Sequence, residues 1–325
     1  MRTTTRAAGS RLAWRVLGAL AACALLVAVL AIAGPAEVWR LVRATDGRML
    51  GVALACSAGF LALRGWRLQL LLEGGRLGWG RASLVAAAAQ AAALFAPART
   101  GELALPWLLS RATGRAFSTG VGTLLAARTL DLATLGLWCG VALLAARGLG
   151  EPLALGLSLL LLVPTLMLPW ALAAADRVAV RTLATRGMVG RRWARRLRRV
   201  RREIDAMRTR PVRLLAAAVV SMGMWGMQWA VAWWLLAAMG HRWPPTVVAA
   251  GASAAAVANL LPFNLVGNLG TLEAGWTAAF VALGVPLATA AATGLAAHLW
   301  GLLFAAFFGA LAWAALSTFR HRLNV

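Results

Sequence analysis

The run Arg128-Thr129-Leu130-Asp131 sets a guanidinium and a carboxylate three residues apart, on one face of any helix that contains them. It lies inside an apolar stretch, roughly 118 to 146. Arg128 is ten residues into that stretch, about 15 Å deep in a bilayer core about 30 Å thick. A charge at that depth is costly alone, so the two either neutralise one another as a structural ion pair or hold a charged head group. Two further motifs carry charge into apolar sequence. Pro97-Ala98-Arg99-Thr100-Gly101-Glu102 follows one short apolar run. Pro262-Phe263-Asn264-Leu265-Val266-Gly267-Asn268-Leu269-Gly270-Thr271-Leu272-Glu273 follows another. Arg99, Glu102, Arg128, Asp131, Glu273, Asn264 and Asn268 are therefore the candidate substrate-binding residues, and Pro97, Gly101, Pro262, Gly267 and Gly270 mark backbone breaks.

Other chemistry is thinly represented. The sequence contains no Lys, which removes a lysine-dependent phosphate loop, Schiff-base chemistry and a Ser/Lys nucleophile pair together. Cys23, Cys56 and Cys139 lie in apolar stretches without paired spacing and read as packing residues. His241, His298 and His321 are scattered, so no metal cluster and no cofactor are expected. With no evident nucleophile either, the chain is expected not to be an enzyme. His298, inside the last apolar stretch, reads as an interhelical hydrogen-bond partner, with a proton relay as the alternative. Arg64 and Arg67 sit near the end of their stretch, where they are expected to snorkel to the cytoplasmic head groups.

The elements that must position these residues are membrane helices. Of 325 residues 61% are hydrophobic and 13% charged, against about half and about a quarter in soluble domains. Apolar runs long enough to cross a bilayer fall at roughly 12–33, 49–72, 118–146, 151–174, 213–239 and 288–316. The first resembles a signal peptide at its Ala31-Ile32-Ala33 end, but its length favours an uncleaved helix. Trp39, Trp79, Trp107 and Trp243 sit where interfacial anchors belong.

Two apolar runs, Ser83 to Phe95 and Thr246 to Leu261, are too short to cross and end in the Pro/Gly breaks. Irregular backbone at membrane depth requires burial in protein or contact with water, and a matched pair of such breaks points to a transport site. The expected fold is an all-α integral membrane protein, one polytopic domain of six spanning helices with two inverted re-entrant helical hairpins; eight spanning helices are the alternative. The first half covers 12–174 with its hairpin near 83–115, and the second covers 213–316 with its hairpin near 246–285.

Arginine placement orients the chain. The formal net charge is +23, and short cytoplasmic loops retain positive charge. With the N-terminus inside, twenty-four arginines fall on the cytoplasmic face, five outside, and four, Arg64, Arg67, Arg99 and Arg128, in the membrane. A bacterial inner membrane with both termini cytoplasmic is expected. The central segment 176–213 holds fourteen arginines and three acids. There Trp193, Leu197, Val200, Ile204 and Met207 share one helical face, while Arg191, Arg192, Arg195, Arg196, Arg198 and Arg199 flank it. Such a segment is either a solvated loop that enforces topology or an amphipathic helix on anionic inner-leaflet head groups. The expected partners are membrane lipids, with a lipid-modifying enzyme as a further candidate, and no nucleic acid.

The motifs Pro97-Ala98-Arg99-Thr100-Gly101-Glu102-Leu103, Arg128-Thr129-Leu130-Asp131, and Pro262 with Gly267, Gly270 and Glu273 resemble the lysylphosphatidylglycerol synthase transmembrane family, in its free-standing form without the aminoacyl-transferase domain. The likeness covers about residues 12 to 316. Departures stand at Leu105-Pro106, at Gly267-Asn268-Leu269-Gly270 and at Leu272, and they thin the positive charge around both breaks. The resemblance implies a flippase-like lipid transporter without its own ATPase, its cargo a phospholipid, a polyprenyl-linked glycolipid or a hopanoid. On that reading Arg99 and Arg128 meet an anionic group, Asp131 fixes Arg128, and Glu102 and Glu273 pair with the arginines or with a cationic head group. A non-transporting scaffold for a lipid-modifying or glycosyl-transferring enzyme is the alternative.

Overall fold

The computed structural model describes residues 20–72, 77–147, 209–258 and 266–321, with isolated positions at 156, 163, 167, 174, 177, 178, 195, 198–202 and 204–206. Among these residues every regular element is a helix. Ala and Leu, the best helix formers, dominate the long segments, and a helix satisfies each backbone amide within its own segment, as hydrocarbon demands.

In chain order the helices are α1 (Leu20–Ala33), α2 (Pro35–Arg43), α3 (Gly47–Leu71), α4 (Trp79–Phe95), α5 (Ala104–Thr113), α6 (Phe117–Arg147), α7 (Pro211–Ala238), α8 (Pro245–Ala258), α9 (Thr271–Ala282) and α10 (Leu287–His321). Four of them, α3, α6, α7 and α10, are long and apolar enough to cross a membrane. Their bounds lie within about two residues of the corresponding runs read from the sequence, except that α10 continues to His321, five residues past its run. The pair α1 and α2, bent by 73° at Gly34, makes a fifth candidate. Pro35 opens α2, where its missing N–H costs nothing. The exposed side of α2 carries an ion pair between Glu37 and Arg40 at 2.6 Å, and Arg43 lies over the Trp39 ring at 4.7 Å. The expected span at 151–174 lies outside the described residues apart from isolated positions. The protein is thus an all-helical, multi-pass membrane protein.

Two compact units divide the chain, and each draws on separated stretches of sequence. The first comprises Met1–Cys56, Ala91–Gly101 and Trp229–Phe307; the second comprises Ser57–Gln90, Glu102–Gln228 and Phe308–Val325. In the first unit α8 packs against α9. Phe280 is fully buried there, with its ring 5.1 Å from Trp243 and 4.5 Å from Trp276. Asp46 starts α3 by accepting the N–H groups of Arg48 and Met49, each at 2.9 Å, an N-cap arrangement. In the second unit Leu68 of α3, Leu72 just past its end, Val85 and Ala86 of α4, and Leu105 and Leu109 of α5 share one core.

Both short apolar runs are interrupted helices. After α4 the chain passes through a 3₁₀ segment, Pro97–Leu103, into α5. After α8 it re-emerges in a 3₁₀ turn, Val266–Asn268, before α9; residues 259–265, Pro262 and Asn264 among them, lie outside the described residues. At 14 residues α8 is about 21 Å long, short of a core about 30 Å thick.

The first break folds back on the helix before it. Gly101 lies so close to α4 that a Cβ there would stand 1.8 Å from the carbonyl oxygen of Ala92. Backbone cannot yield as a flexible side chain does, so Gly101→Ala is expected to cost about 1–3 kcal/mol, the range for overpacking. Gly51→Ala, on α3 with open space around it, should be neutral or stabilising by up to about 1 kcal/mol. Thermal unfolding in detergent reads both, and equal midpoints for the two variants would contradict the close approach.

Candidate functional site

The second unit gathers charge from three elements and a hydroxyl from a fourth. Arg64 and Arg67 lie three residues apart on α3, Arg128 and Asp131 three apart on α6, Glu102 closes the first break, and Ser221 comes from α7. Arg67 Nη1 donates to Asp131 Oδ1 at 2.5 Å and to Ser221 Oγ at 3.2 Å. The second carboxylate oxygen, Asp131 Oδ2, stands 3.7 Å from Arg128 Nη1. Arg128 Nη2 in turn reaches Glu102 Oε1 at 3.2 Å. Arg64 Nη1 donates to Gln90 Oε1 and lies within electrostatic reach of the other four charges.

Packing explains why these residues meet. One helical turn from Arg67, Asp131 and Ser221 are Leu71, Ala127 and Ala217, which form a buried layer together with Leu130. That layer lies C-terminal to Arg67 on α3 but N-terminal to Asp131 on α6 and to Ser221 on α7. Hence α3 runs antiparallel to α6 and α7. Further along, Gly223 lies beside Leu63, Met227 beside Gly59, and Gly226 beside Trp138, in the same sense. Trp138 Nε1 ties α6 to α7 through the carbonyl of Met222 at 3.2 Å. Small residues at these contacts let membrane helices approach closely.

Exposure grades across the cluster. The side chain of Arg67 is 1% exposed and that of Asp131 12%, whereas Glu102 and Arg128 reach 28% and 40%. Arg67 Nε is buried without a hydrogen-bond partner. The cluster thus has a dry end, Arg67 with Asp131, and an accessible end, Arg128 with Glu102. Three guanidiniums against two carboxylates leave one positive charge in excess, and arginine does not lose its proton in proteins. Such a site suits an anionic group approaching Arg128, where charge-assisted hydrogen bonds are strong.

Arg67 corrects the sequence reading. Expected to snorkel toward head groups, it is instead the most buried charge of the cluster and the short partner of Asp131; Arg128 is the longer one. Arg64, also expected to snorkel, turns to Gln90. The signal lay in two arginines three residues apart inside an apolar run, but the neighbour that each meets depends on helix packing, Gln90 of α4 for Arg64 and Asp131 of α6 for Arg67.

The other candidates fall elsewhere. Arg99 lies in the first break, and its side chain, like that of Pro97, is outside the described residues. Glu273 belongs to the first unit and opens α9, where His298 of α10 meets it with Nδ1 2.6 Å from Oε1, the interhelical hydrogen bond expected of His298. Glu273 Oε2 accepts the N–H of Gly270 at 2.7 Å. Gly270 has φ +94°, and a Cβ there would stand 2.2 Å from the carbonyl oxygen of Ala22, so only glycine fits. Gly267 and Asn268 both have positive φ, and Asn268 is the one such non-glycine residue among those described. Arg191, Arg192, Trp193 and Arg196 lie outside the described residues. Arg195, Arg198 and Arg199 are exposed helical positions, while Val200 and Ile204 are buried at 8% each. Among the described residues no group of His, Cys, Asp and Glu is arranged to hold a metal.

The sequence matches the family described as Lysylphosphatidylglycerol synthase TM region over residues 16–309. The chain belongs to that family. Searches among curated proteins and among solved structures give no significant match. In this member of the lysylphosphatidylglycerol synthase transmembrane family, the matched region includes all five charges of the second unit's cluster and the Glu273–His298 pair.

Removing one partner of a buried ion pair strands the other, at about 3–5 kcal/mol, whereas replacing both with apolar residues is often neutral. Asp131→Leu is therefore expected to lower stability strongly, and the double variant Arg67→Met, Asp131→Leu to recover most of it. Unfolding of the purified proteins in detergent checks this. A double variant as unstable as the single one would show that the contact is not a coupled pair.

Proposed function

We propose that this membrane protein moves an anionic amphiphile between the leaflets of a bacterial inner membrane, without an ATP-hydrolysing site of its own. The observation that carries the proposal is the cluster on α3, α6 and the first break, with its buried Arg67–Asp131 end, its accessible Arg128–Glu102 end and one positive charge in excess. Ionisable residues inside membrane segments are rare and commonly mark substrate pathways. In this reading the cargo's phosphate or carboxylate engages Arg128 and displaces Glu102, while Asp131 and Arg67 hold the helix face on which Arg128 sits. Family membership supports a role with lipids.

The two interrupted helices, α4–α5 and α8–α9, act as re-entrant hairpins entering from opposite faces, with both termini cytoplasmic. In a cysteine-free background, single cysteines at positions 97 and 262 should then react with an impermeant maleimide from opposite sides. Labelling of both from one side would replace the hairpins with ordinary loops.

A second reading has its own observation. The exposed Arg195, Arg198, Arg199 and Arg202 with buried Val200 and Ile204 suit a docking helix, through which the protein would hold a lipid-modifying enzyme at the anionic surface. Reconstitution separates the two. Vesicles with the purified protein should move labelled phosphatidylglycerol or polyprenyl phosphate, and not an uncharged hopanoid, faster than empty vesicles, and mass spectrometry of copurified lipid names the class. One lost charge-assisted hydrogen bond is worth about 1.5–3 kcal/mol, so Arg128→Gln should slow transfer about ten- to hundredfold. Its effect on stability should stay within about 1 kcal/mol, as for half-exposed pairs. If neither anionic lipid moves, the docking reading takes the place of transport.

A further inference from the structure

The first unit holds a second ionisable pair that the cluster does not use. Glu273 has a side chain with no exposure, and His298 is 8% exposed. Their contact, Nδ1 to Oε1 at 2.6 Å, joins α9 to α10, and the other carboxylate oxygen is occupied by the Gly270 N–H. The imidazole alone of the two reaches the molecular surface.

Among the described residues the helices around the pair carry little else that titrates. Within α1 the one titratable residue is Cys23; α8 carries none; α9 carries only Glu273; and α10 carries only His298 between Leu287 and Phe307. The remaining charges of this unit's described helices are placed otherwise. Glu37 and Arg40 pair with each other, Arg43 lies over Trp39, Asp46 caps α3, Arg48 follows it, and His241 and Arg242 lie between α7 and α8. Arg99 belongs to the same unit by its backbone.

A lone carboxylate in such a place is costly, and protonation is the ordinary remedy. With neutral imidazole the pair carries one negative charge; with one more proton it carries none. The uptake balances simply. A proton arrives on His298 Nε2, the proton on Nδ1 lies along the hydrogen bond to Glu273 Oε1, and no bond to another atom is made or broken. Release is the reverse, from the same nitrogen.

We propose that Glu273 and His298 form a proton-binding site, and that its loading and unloading couple lipid movement to a transmembrane proton gradient. The coupling rests on the transport reading above; the proton site does not. The pair contains what the arginine cluster lacks, an imidazole, the side chain whose ordinary titration range spans neutrality.

The test uses the full chain in two settings. In nanodiscs, ¹⁵N-histidine NMR, with His298 assigned by its loss in His298→Asn, should show its signal change over the ordinary histidine range, about pH 5 to 8, and change differently in Glu273→Gln. In vesicles with acyl-labelled phosphatidylglycerol, a gradient of about one pH unit should drive accumulation in one leaflet up to about tenfold, the limit for one proton per lipid. Glu273→Gln and His298→Asn should each abolish that accumulation, whatever their basal exchange rate. The asparagine amide keeps a donor near the position of Nδ1, so it guards against simple unfolding. A His298 signal that does not change across this range overturns the proton site. Wild-type exchange that ignores the gradient, or variants that still respond to it, overturns the coupling. Absence of any lipid movement fells the transport reading and the coupling together, while the titration still decides the site.

Discussion

Hydrocarbon provides no water to a charged group, so each guanidinium or carboxylate placed there must find its complement within the protein. In the second unit that requirement is met by Arg67 and Asp131, with Ser221 as the third participant. The contact specifies rotation. Turning α3 by one residue would carry Arg67 about 100° around the helix and away from both partners. The apolar layer of Leu71, Ala127, Leu130 and Ala217 has no such preference, since small and aliphatic surfaces pack in several registers. The ion pair selects among them, and the accessible pair of Arg128 and Glu102 inherits its position from that choice.

Much of this was legible in the sequence, and for a physical reason. Span length and hydropathy are local properties, and α3, α6, α7 and α10 begin and end close to where composition alone puts them. The interruptions were equally readable, because Pro97 and the run from Pro262 to Gly270 cannot continue a helix. Partner choice is different. Arg128 and Asp131 are close in the chain and were paired by spacing, yet the nearer partner of Asp131 comes from 64 residues earlier. Only the antiparallel packing of α3 on α6 brings it there. Glu273 likewise reads as a partner for arginine until α10 presents His298.

The two ionisable groups differ in kind. Every base in the cluster is arginine, as it must be in a chain without lysine, so its positive charges are permanent. The Glu273–His298 pair contains the one side chain whose ordinary titration range spans neutrality. Fixed charge suits recognition, and exchangeable charge suits timing. The chain keeps them in separate units.

The division of labour within Asp131 has a kinetic consequence. Its two oxygens face different arginines, Oδ1 toward Arg67 and Oδ2 toward Arg128. An anion that captures Arg128 therefore leaves Asp131 still bonded to Arg67, and the departing anion finds the same carboxylate waiting. On the proposed reading, exchange at Arg128 proceeds with Asp131 paired to Arg67 throughout. A guest can come and go at such a site without the helices having to part.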